Sequence, residues 1–286
     1  MVTNPLLNEV TIIVVTFQSA HCLDALSPLL SFCPHVVFFD NGSEDGCADL
    51  AQNIFPHANV IKHVKNIGFG AANNRALEKV TTPWALLLNP DCEMSLQALQ
   101  DLMVVTQSDD PPAIIAPQLI NSFGKLDVNY RWPSNLWSSI GPEAQGPTCV
   151  GFVCGAVLLM DLVRLKRINF FDERFFLYYE DDDLCLRLFQ EKSPIVIYPA
   201  IKVIHKSRGS VKGNFSWHYE YIRGYHHVQS KLTYMQKHGD ASALKNVRLK
   251  LIAMTTLTLL LRIIFFTPNM MSRTWGRFRG LIEWKL

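Results

Sequence analysis

Charge is scarce in this sequence. Of its 286 residues only 18% are Asp, Glu, Lys or Arg, against 49% hydrophobic. That composition excludes extensive disorder and can fill a sizeable core. Cysteines are odd in number and unpatterned: Cys22, Cys33, Cys47, Cys92, Cys149, Cys154 and Cys185 form no C-x-x-C pair, and several lie in apolar runs. They read as buried free thiols in a reducing compartment, not as a disulfide framework. Met1 to Glu9 lacks a basic region followed by an apolar core, so no signal peptide is expected. Internal repeats and low-complexity tracts are absent as well.

Two phosphate-binding signatures are also missing. A dinucleotide-binding G-x-G-x-x-G would follow the first strand, whereas Gly68-Phe69-Gly70 follows the third, with Asn73 where the last glycine should stand. This disfavours a nicotinamide dehydrogenase, and no G-x-x-x-x-G-K-[ST] occurs either. The little charge present is unevenly spread. Residues 1–201 hold 12 Lys/Arg against 22 Asp/Glu, a balance of −10; residues 202–286 hold 15 against 3, a balance of +12. An acidic body with a basic tail points to a tail that meets an anionic surface. No recognisable nucleic-acid module accompanies the basic residues, so nucleic acid is not the expected partner.

The first half alternates short apolar runs with helix-compatible stretches. Val10–Val15, Val36–Phe39, Val60–Val64 and Trp84–Leu88 have the density of strands buried on both faces, and Cys22–Phe32, Cys47–Phe55 and Ala71–Lys79 fall between them. This βαβαβαβ rhythm predicts an α/β, mostly parallel, doubly wound sheet with right-handed crossovers. Further on, a helix is expected over Ser95–Asp109, strands at Ile114–Pro117 and Val150–Leu159, and a long irregular loop over Asn121–Gly146. Ile195–Tyr198 and Ile201–Ile204 read as closing strands.

Ligands of such a sheet bind beyond the carboxyl ends of its strands, and polar residues do collect there. Thr16-Phe17-Gln18-Ser19 follows the first strand and Asp40-Asn41-Gly42-Ser43 the second. Asp40 can accept hydrogen bonds from a base or ribose; its plainer role would be to make the turn and cap the next helix. Asn66 to Gly70 opens a helix whose start carries Asn73 and Asn74, with glycines that let N–H groups approach a phosphate. Asn89-Pro90-Asp91 leaves the fourth strand, placing a carboxylate to hold Mg²⁺ or Mn²⁺ against a diphosphate, or simply to cap the helix from Ser95. Glu180-Asp181-Asp182-Asp183 follows the aromatic run Phe175–Tyr179. At least one of these acids is expected to face inward, with a carboxyl pushed up as a general base requires; the alternative is an acid-rich helix start. After the last strand, His205 can bind metal or phosphate, and Lys206 and Arg208 can meet diphosphate oxygens.

Together these residues resemble the family 2 inverting glycosyltransferases, in particular the bacterial rhamnosyltransferase-like branch. The resemblance covers about Val10 to Ser210. It rests on Val15-Thr16-Phe17-Gln18-Ser19, Asp40-Asn41-Gly42-Ser43, Asn66-Ile67-Gly68-Phe69 with Asn74, Leu88-Asn89-Pro90-Asp91, Gly155-Ala156, Phe171-Asp172-Glu173 with Glu180-Asp181 and Asp183, and His205 with Gly209-Ser210. It implies a GT-A fold, taken to run over 1–212, and a metal-dependent, inverting enzyme; 213–286 is then a helical extension, which its composition marks as membrane-associating. It also implies that Thr16, Gln18, Asp40, Asn66, Gly68, Asn74 and Asn89 serve the nucleotide sugar, with Asp40 on the base. Asn-Pro-Asp stands in for a D-x-D motif, with Asn89 in place of the first acid; Asp91 and His205 become the ligands of Mg²⁺ or Mn²⁺. Asp181 is the implied base, with Asp182 and Asp183 as its neighbours. Gly155, Glu180, Asp183, Arg208 and Ser210 fall on the acceptor side. By the same resemblance dTDP-rhamnose is the first donor, ahead of UDP- and GDP-sugars, and the acceptor is a lipid-linked glycan of O-antigen, capsule or core type. A nucleotidyltransferase on a similar sheet would release pyrophosphate instead of a nucleoside diphosphate, and a non-catalytic sugar-binding scaffold would have no use for the acids.

Lys245–Leu286 holds eight Lys/Arg and one acid, Glu283, and within it Leu249–Phe266 is strongly apolar, with Lys250 at its start and Arg262 interrupting it. At 18 residues with an internal charge this stretch is short for a spanning helix. A helix lying in the headgroup region, with Arg248, Lys250, Arg273, Arg277 and Arg279 on anionic lipid, is expected at the cytoplasmic face of the inner membrane. The alternatives are a helix pair packed on the catalytic domain and a single-pass anchor.

Overall fold

The computed structural model describes residues 4–132, 142–207, 209–211, 216–239, 241–265 and 267–285. The chain forms two compact units. One comprises residues 1–67, 71–171 and 184–212; the other comprises 68–70, 172–183 and 213–286.

The first unit is built on a mixed sheet. Its early half follows the predicted rhythm: β1 (Val10–Thr16), α1 (Leu23–Leu30), β2 (Val36–Asp40), α2 (Cys47–Ile54), β3 (Asn59–Lys62), α3 (Phe69–Leu77) and β4 (Trp84–Leu88). These four strands run parallel in the order β3-β2-β1-β4. The order reverses after β1, which makes the carboxyl ends of β1, β2 and β4 a topological switch point where ligands collect. The strands β1, β2 and β4 are buried almost throughout, as their apolar composition requires. The third is an edge strand, half-exposed, with no strand paired beyond it among the described residues, and Val64 just past it lies in solvent.

The later half departs from a parallel pattern. After β5 (Cys92–Glu93) and α4 (Leu96–Val105) come β6 (Ile114–Ile120), two short strands β7 (Leu126–Asp127) and β8 (Tyr130–Arg131), then β9 (Thr148–Cys149), β10 (Phe152–Val153) and β11 (Val157–Asp161). The single strand expected over Val150–Leu159 is therefore two, β10 and β11. Strand β11 runs antiparallel between β4 and β6, since a ribbon and loop lead into it where a crossover helix would be needed for a parallel entry. A short helix α5 (Leu162–Arg167) is capped by Asp161, which accepts from the N–H groups of Val163 and Arg164. Helix α6 (Glu180–Gln190) leads to β12 (Ile195–His205), a single strand where two were expected. Its register against β6 shifts between Tyr198 and Lys202, where Pro199 removes a ladder donor. The core lies between the sheet and its helices, with Ile12, Val14, Leu26, Phe38, Phe55, Leu86 and Leu99 at its centre.

Five cysteines are buried free thiols; Cys149 is exposed and Cys154 half-exposed, against the reading that all were core residues. Burial pushes the Cys33 thiol up to about 12 and Cys47 to about 11, which leaves both inert.

The second unit is mostly helical: α7 (Ser216–His238), α8 (Ala241–Ile264) and α9 (Pro268–Glu283). Helices α7 and α9 approach so closely that their backbones touch. A Cβ on Gly224 would overlap the Arg273 carbonyl oxygen, one on Gly276 the Tyr221 carbonyl, and one on Gly280 would lie 2.6 Å from the Tyr225 carbonyl. No described helix is long and apolar enough to cross a membrane.

Candidate active site

Polar residues of the first unit collect in the loops beyond its strand ends. Asp40 closes β2, almost fully buried, and is held by hydroxyl and backbone N–H donors. Thr16 Oγ1 donates to its Oδ1 at 3.2 Å, Ser43 N to its Oδ2 at 3.3 Å, and Ser43 Oγ to Oδ1 as well. Ser43 Oγ in turn accepts from the N–H of Gln18 (2.9 Å), a residue in the left-handed region at φ 53°. Asp40 thus makes its turn, but it does not cap α2, where Asp45 accepts from Cys47 N instead. Gly42 is required next: at φ 81° a Cβ would lie 2.6 Å from the Lys65 carbonyl carbon. Asn41, which the sequence did not single out as a ligand, ties this loop to the next. Its amide donates to Asn66 Oδ1 (3.0 Å) and its Oδ1 accepts from Ile67 N (2.9 Å).

Asp91 lies three residues beyond β4, 5% exposed. It does not cap α4, because Ser95 does, accepting from Ala98 N at 3.1 Å. Its Oδ2 accepts from the N–H groups of Gly209 and Ser210, both at 3.1 Å, and its carbonyl accepts from Lys206 N. Its Oδ1 is buried with no hydrogen-bond partner among the described residues. His205 reaches it because β5 pairs antiparallel with β12, setting His205 opposite Cys92; His205 Nε2 then lies 3.7 Å from Asp91 Oδ1. His205 Nδ1 is likewise buried and unpartnered. Asp91, His205 and Cys92 have potential ligand atoms within 4.8 Å of one another. Burial, followed by the charge of Asp91, pushes the Cys92 thiol well up, so the carboxylate and the imidazole are the donors suited to a hard cation. The 206–210 loop is fastened on its other side by His21, whose Nε2 lies 2.7 Å from the Gly209 carbonyl. Arg208, a sequence-predicted contact in this loop, lies outside the described residues.

The remaining expected donor-side residues are placed as follows. Asn89 is half-buried, its N–H bonded to Ala156 O beside buried Gly155. Asn74 clamps the Phe171 backbone through both ends of its amide, Nδ2 to Phe171 O at 2.9 Å and Oδ1 from Phe171 N at 3.1 Å. In the second unit Gly68, at φ 94°, has its open side filled: a Cβ there would lie 2.5 Å from the Phe176 carbonyl oxygen, and that oxygen accepts from Phe69 N. Gly68 is thus required by chain packing at the start of α3.

The acids form the first turn of α6, and they differ sharply. Asp183 is fully buried and ion-paired, its Oδ1 accepting from Lys237 Nζ at 2.5 Å and from His238 Nε2 at 2.6 Å. Lys237 also bonds Asp172 (2.7 Å). Burial alone would raise the Asp172 carboxyl, but hydrogen bonds from Arg174 and Lys237 outweigh it and hold that group far below the usual carboxylate range. Glu180 is buried with Oε2 unpartnered, and burial, then Asp181 and Asp182, push its carboxyl well up. The carboxyl that burial raises is thus Glu180, whereas the resemblance makes Asp181 the base. Asp181 is half-buried and accepts from Asp182 N. The preceding residues, Tyr178 and Tyr179, both occupy the left-handed region (φ 69° and 67°), a strained pair whose rings pack edge-on against His227. Phe176 stacks on His226 at 4.0 Å between centroids. The pairing of Asp183 with Lys237 and His238 had no local signal in the sequence, since more than fifty residues separate the partners.

The glycosyl transferase family 2 model matches residues 11–162. A Mycobacterium tuberculosis N-acetylglucosaminyl-diphospho-decaprenol L-rhamnosyltransferase is 26% identical over 229 residues, covering 68% of this chain and 75% of that protein. An Escherichia coli rhamnosyltransferase is 30% identical over 176 residues, 53% of this chain and 67% of that one. Among solved structures, a Pyrobaculum calidifontis mannosyltransferase in complex with GDP-mannose and Mn²⁺ superposes with TM-score 0.58 at 15% identity, covering 96% of this chain and 85% of that one. At that identity the likeness speaks to the fold, which is GT-A. With Asp40 and Asp91 at the ends of its strands and the family model spanning more than half its length, the chain belongs to glycosyl transferase family 2, in its rhamnosyltransferase-like branch, and is a glycosyltransferase.

Proposed function

We propose that this chain transfers rhamnose from dTDP-rhamnose, with inversion, to a hydroxyl of a lipid-linked or cell-surface glycan of O-antigen, capsule or core type. The observation that carries the reading is Asp91. One of its oxygens is anchored on two backbone N–H groups while the other, buried beside His205, has no partner among the described residues. A buried carboxylate oxygen left in that state is costly unless a ligand completes it. Asp91 and His205 fit a divalent cation, Mg²⁺ or Mn²⁺. When bound, that ion neutralises a diphosphate and makes the nucleoside diphosphate a better leaving group. The names of the relatives support both the sugar and the lipid diphosphate acceptor.

The chain's own residues supply the rest. Asp40, fixed by Thr16 and Ser43, accepts from the nucleotide base, with Gln18, Asn66 and Asn89 around the donor. Gly68 and Asn74 position the elements that carry them. Asp181 removes the proton from the acceptor hydroxyl as that oxygen attacks the anomeric carbon from the face opposite the leaving diphosphate. Gly155, Glu180, Arg208 and Ser210 serve the acceptor side, and Asp183, taken up by its ion pairs with Lys237 and His238, supports it by holding the start of α6 in place.

Helix α8 supports attachment to an anionic membrane surface, at the cytoplasmic face of the inner membrane. Leu249, Met254, Leu257, Leu260, Ile264 and Phe265 on and just after it are exposed. Arg262, which breaks the apolar run in sequence, is folded onto α9, bonding Met270 O and Thr274 Oγ1. The hydroxyls of Thr256 and Thr258 are satisfied within the helix by Ile252 O and Met254 O. Such a face suits the headgroup boundary.

A panel of nucleotide sugars tested for cation-dependent thermal stabilisation identifies the donor, and dTDP-rhamnose is expected to give the largest shift. Transfer to a polyprenyl-diphosphate-linked sugar is then measured. Asp181→Asn is expected to lower kcat by about 10²–10⁴ with donor binding intact; undiminished transfer would assign the base elsewhere.

A further inference from the structure

The second unit contains a concentration of cationic groups that the proposed chemistry does not use. Arg273 and Arg277 stand four residues apart on α9, and His227 and Lys231 four apart on α7, so each pair shares one helix face. The glycine contacts at Gly224 and Gly276 bring the two helices to backbone contact at this level. Arg262 of α8 joins them, bonded to Met270 O and Thr274 of α9. The nearby carboxylate is Glu220, 2.8 Å from Arg223 and 3.6 Å from Arg273.

Glu220 is thus shared by Arg223 and Arg273 and acts on Arg277, which Arg262 and Arg273 also approach, while Arg277, Arg273 and Lys231 all act on His227. The Nε atoms of Arg273 and Arg277 and Nδ1 of His227 are buried, and none has a hydrogen-bond partner among the described residues. The arginines also repel one another. Burial first, then Arg273 and Arg262, pull the Arg277 guanidinium below its ordinary value, and burial, then Arg277, Arg273 and Lys231, pull His227 down to about 4. Packing alone does not favour this arrangement, since hydrophobic side chains would fill the same volume without the desolvation and repulsion. It is stabilised when an anion with several acceptor oxygens enters it, and planar guanidinium groups match phosphate oxygens bidentately.

We propose that Arg273, Arg277, His227 and Lys231 form a binding subsite for the diphosphate of a lipid-linked acceptor. This inference rests on the lipid-linked acceptor of the proposed function. The amphipathic character of the surroundings selects that source of phosphate: Arg262 connects the cluster to α8, whose Leu260, Leu261, Ile263 and Ile264 are exposed apolar residues suited to a prenyl chain or the membrane holding it. Tyr178 and Tyr179 brace His227 from the segment that leads into the acids of α6. The subsite binds and positions; it is not catalytic.

The test uses the full chain with EDTA present, so that a diphosphate is not held by a cation at Asp91. Binding is measured to phosphatidylcholine vesicles carrying a long-chain polyprenyl diphosphate, or phosphatidylglycerol at equal surface charge. The native protein is expected to prefer the diphosphate vesicles by about tenfold or more, and Arg277→Gln to lose that preference. Equal binding to both vesicles, or a preference retained in Arg277→Gln, overturns the subsite. A second readout excludes a purely structural arginine. Without anion, Arg277→Gln is expected to melt no lower than the native protein, because it removes repulsion, while inorganic pyrophosphate no longer raises its Tm. A variant that melts lower and keeps the pyrophosphate shift overturns the proposal, and Lys231→Gln repeats the measurement at an independent position. An Arg277-dependent preference in a protein that transfers no sugar to any lipid-linked acceptor would sink the proposed function and leave the subsite standing.

Discussion

The sheet unit and the helical unit bury charge in opposite ways. In the sheet unit, Asp40 and Asp91 are held by N–H and hydroxyl groups of the strand-end loops, and the unmatched carboxylate atom among the described residues is Asp91 Oδ1, beside the unmatched His205 Nδ1. In the helical unit, Asp183 is neutralised outright by Lys237 and His238, and unmatched atoms include guanidinium and imidazole nitrogens. Glu180 takes a third course, its carboxyl pushed up by burial. A buried polar atom without a partner is expensive, so the sign of the unmatched atom indicates the sign of what completes it. By that rule Asp91 calls for a cation and the Arg273–Arg277 pair for an anion, whereas Asp183 calls for neither.

The sharpest way to break this comparison is to exchange the two kinds of aspartate. Asp91→Asn keeps the shape and removes the charge that a cation would meet; transfer is expected to fall about 10³-fold or more, with the cation-dependent Tm shift lost. Asp183→Ala should act on the fold instead. It strands His238, leaves Lys237 with Asp172 alone, and is expected to cost about 3–5 kcal/mol, read from urea unfolding. If Asp183→Ala proved stable but inactive, its ion pairs would belong to the chemistry and the contrast would fail. Gly224→Ala drives a methyl into the Arg273 carbonyl and should cost about 1–3 kcal/mol by forcing α7 and α9 apart.

The smallest effect is a pH dependence confined to the helical unit. Burial holds both His226 and His227 down to about 4, against 6.5 for an ordinary histidine. Between pH 6.5 and 4 the unfolded chain therefore binds more protons than the folded one, and stability falls as pH falls through that window. Glu180, raised by burial, titrates in the opposite sense. His226→Gln isolates the histidine contribution and is expected to flatten the loss of urea midpoint between pH 6.5 and 4.

Much of the donor side was legible because each loop residue there follows its own strand within a few positions. Thr16, Asp40 and Asp91 were placed by the apolar runs before them, since a buried strand must release its polar residues at its end. The edge position of β3 and the antiparallel entry of β11 were not legible, because both depend on which strand pairs with which. Asn74 reads as a ligand in sequence and serves as a clamp on Phe171 in the fold; the same amide groups can do either. Arg262 reads as an interruption of an apolar face, yet its long side chain turns onto α9 and leaves that face apolar.

The sequence by itself determined the α/β rhythm, the polar strand ends, the acid-rich start of α6 and the basic, apolar tail. Periodicity and composition are local properties that survive without knowledge of the fold. Tertiary structure alone decided that His205 meets Asp91, that Asp183 is matched while Glu180 Oε2 is not, and that Glu220 pairs with a cation of each of α7 and α9. Hydrogen-bond satisfaction and burial are set by groups dozens of residues away, and they determine which of several identical carboxylates is left with something to bind.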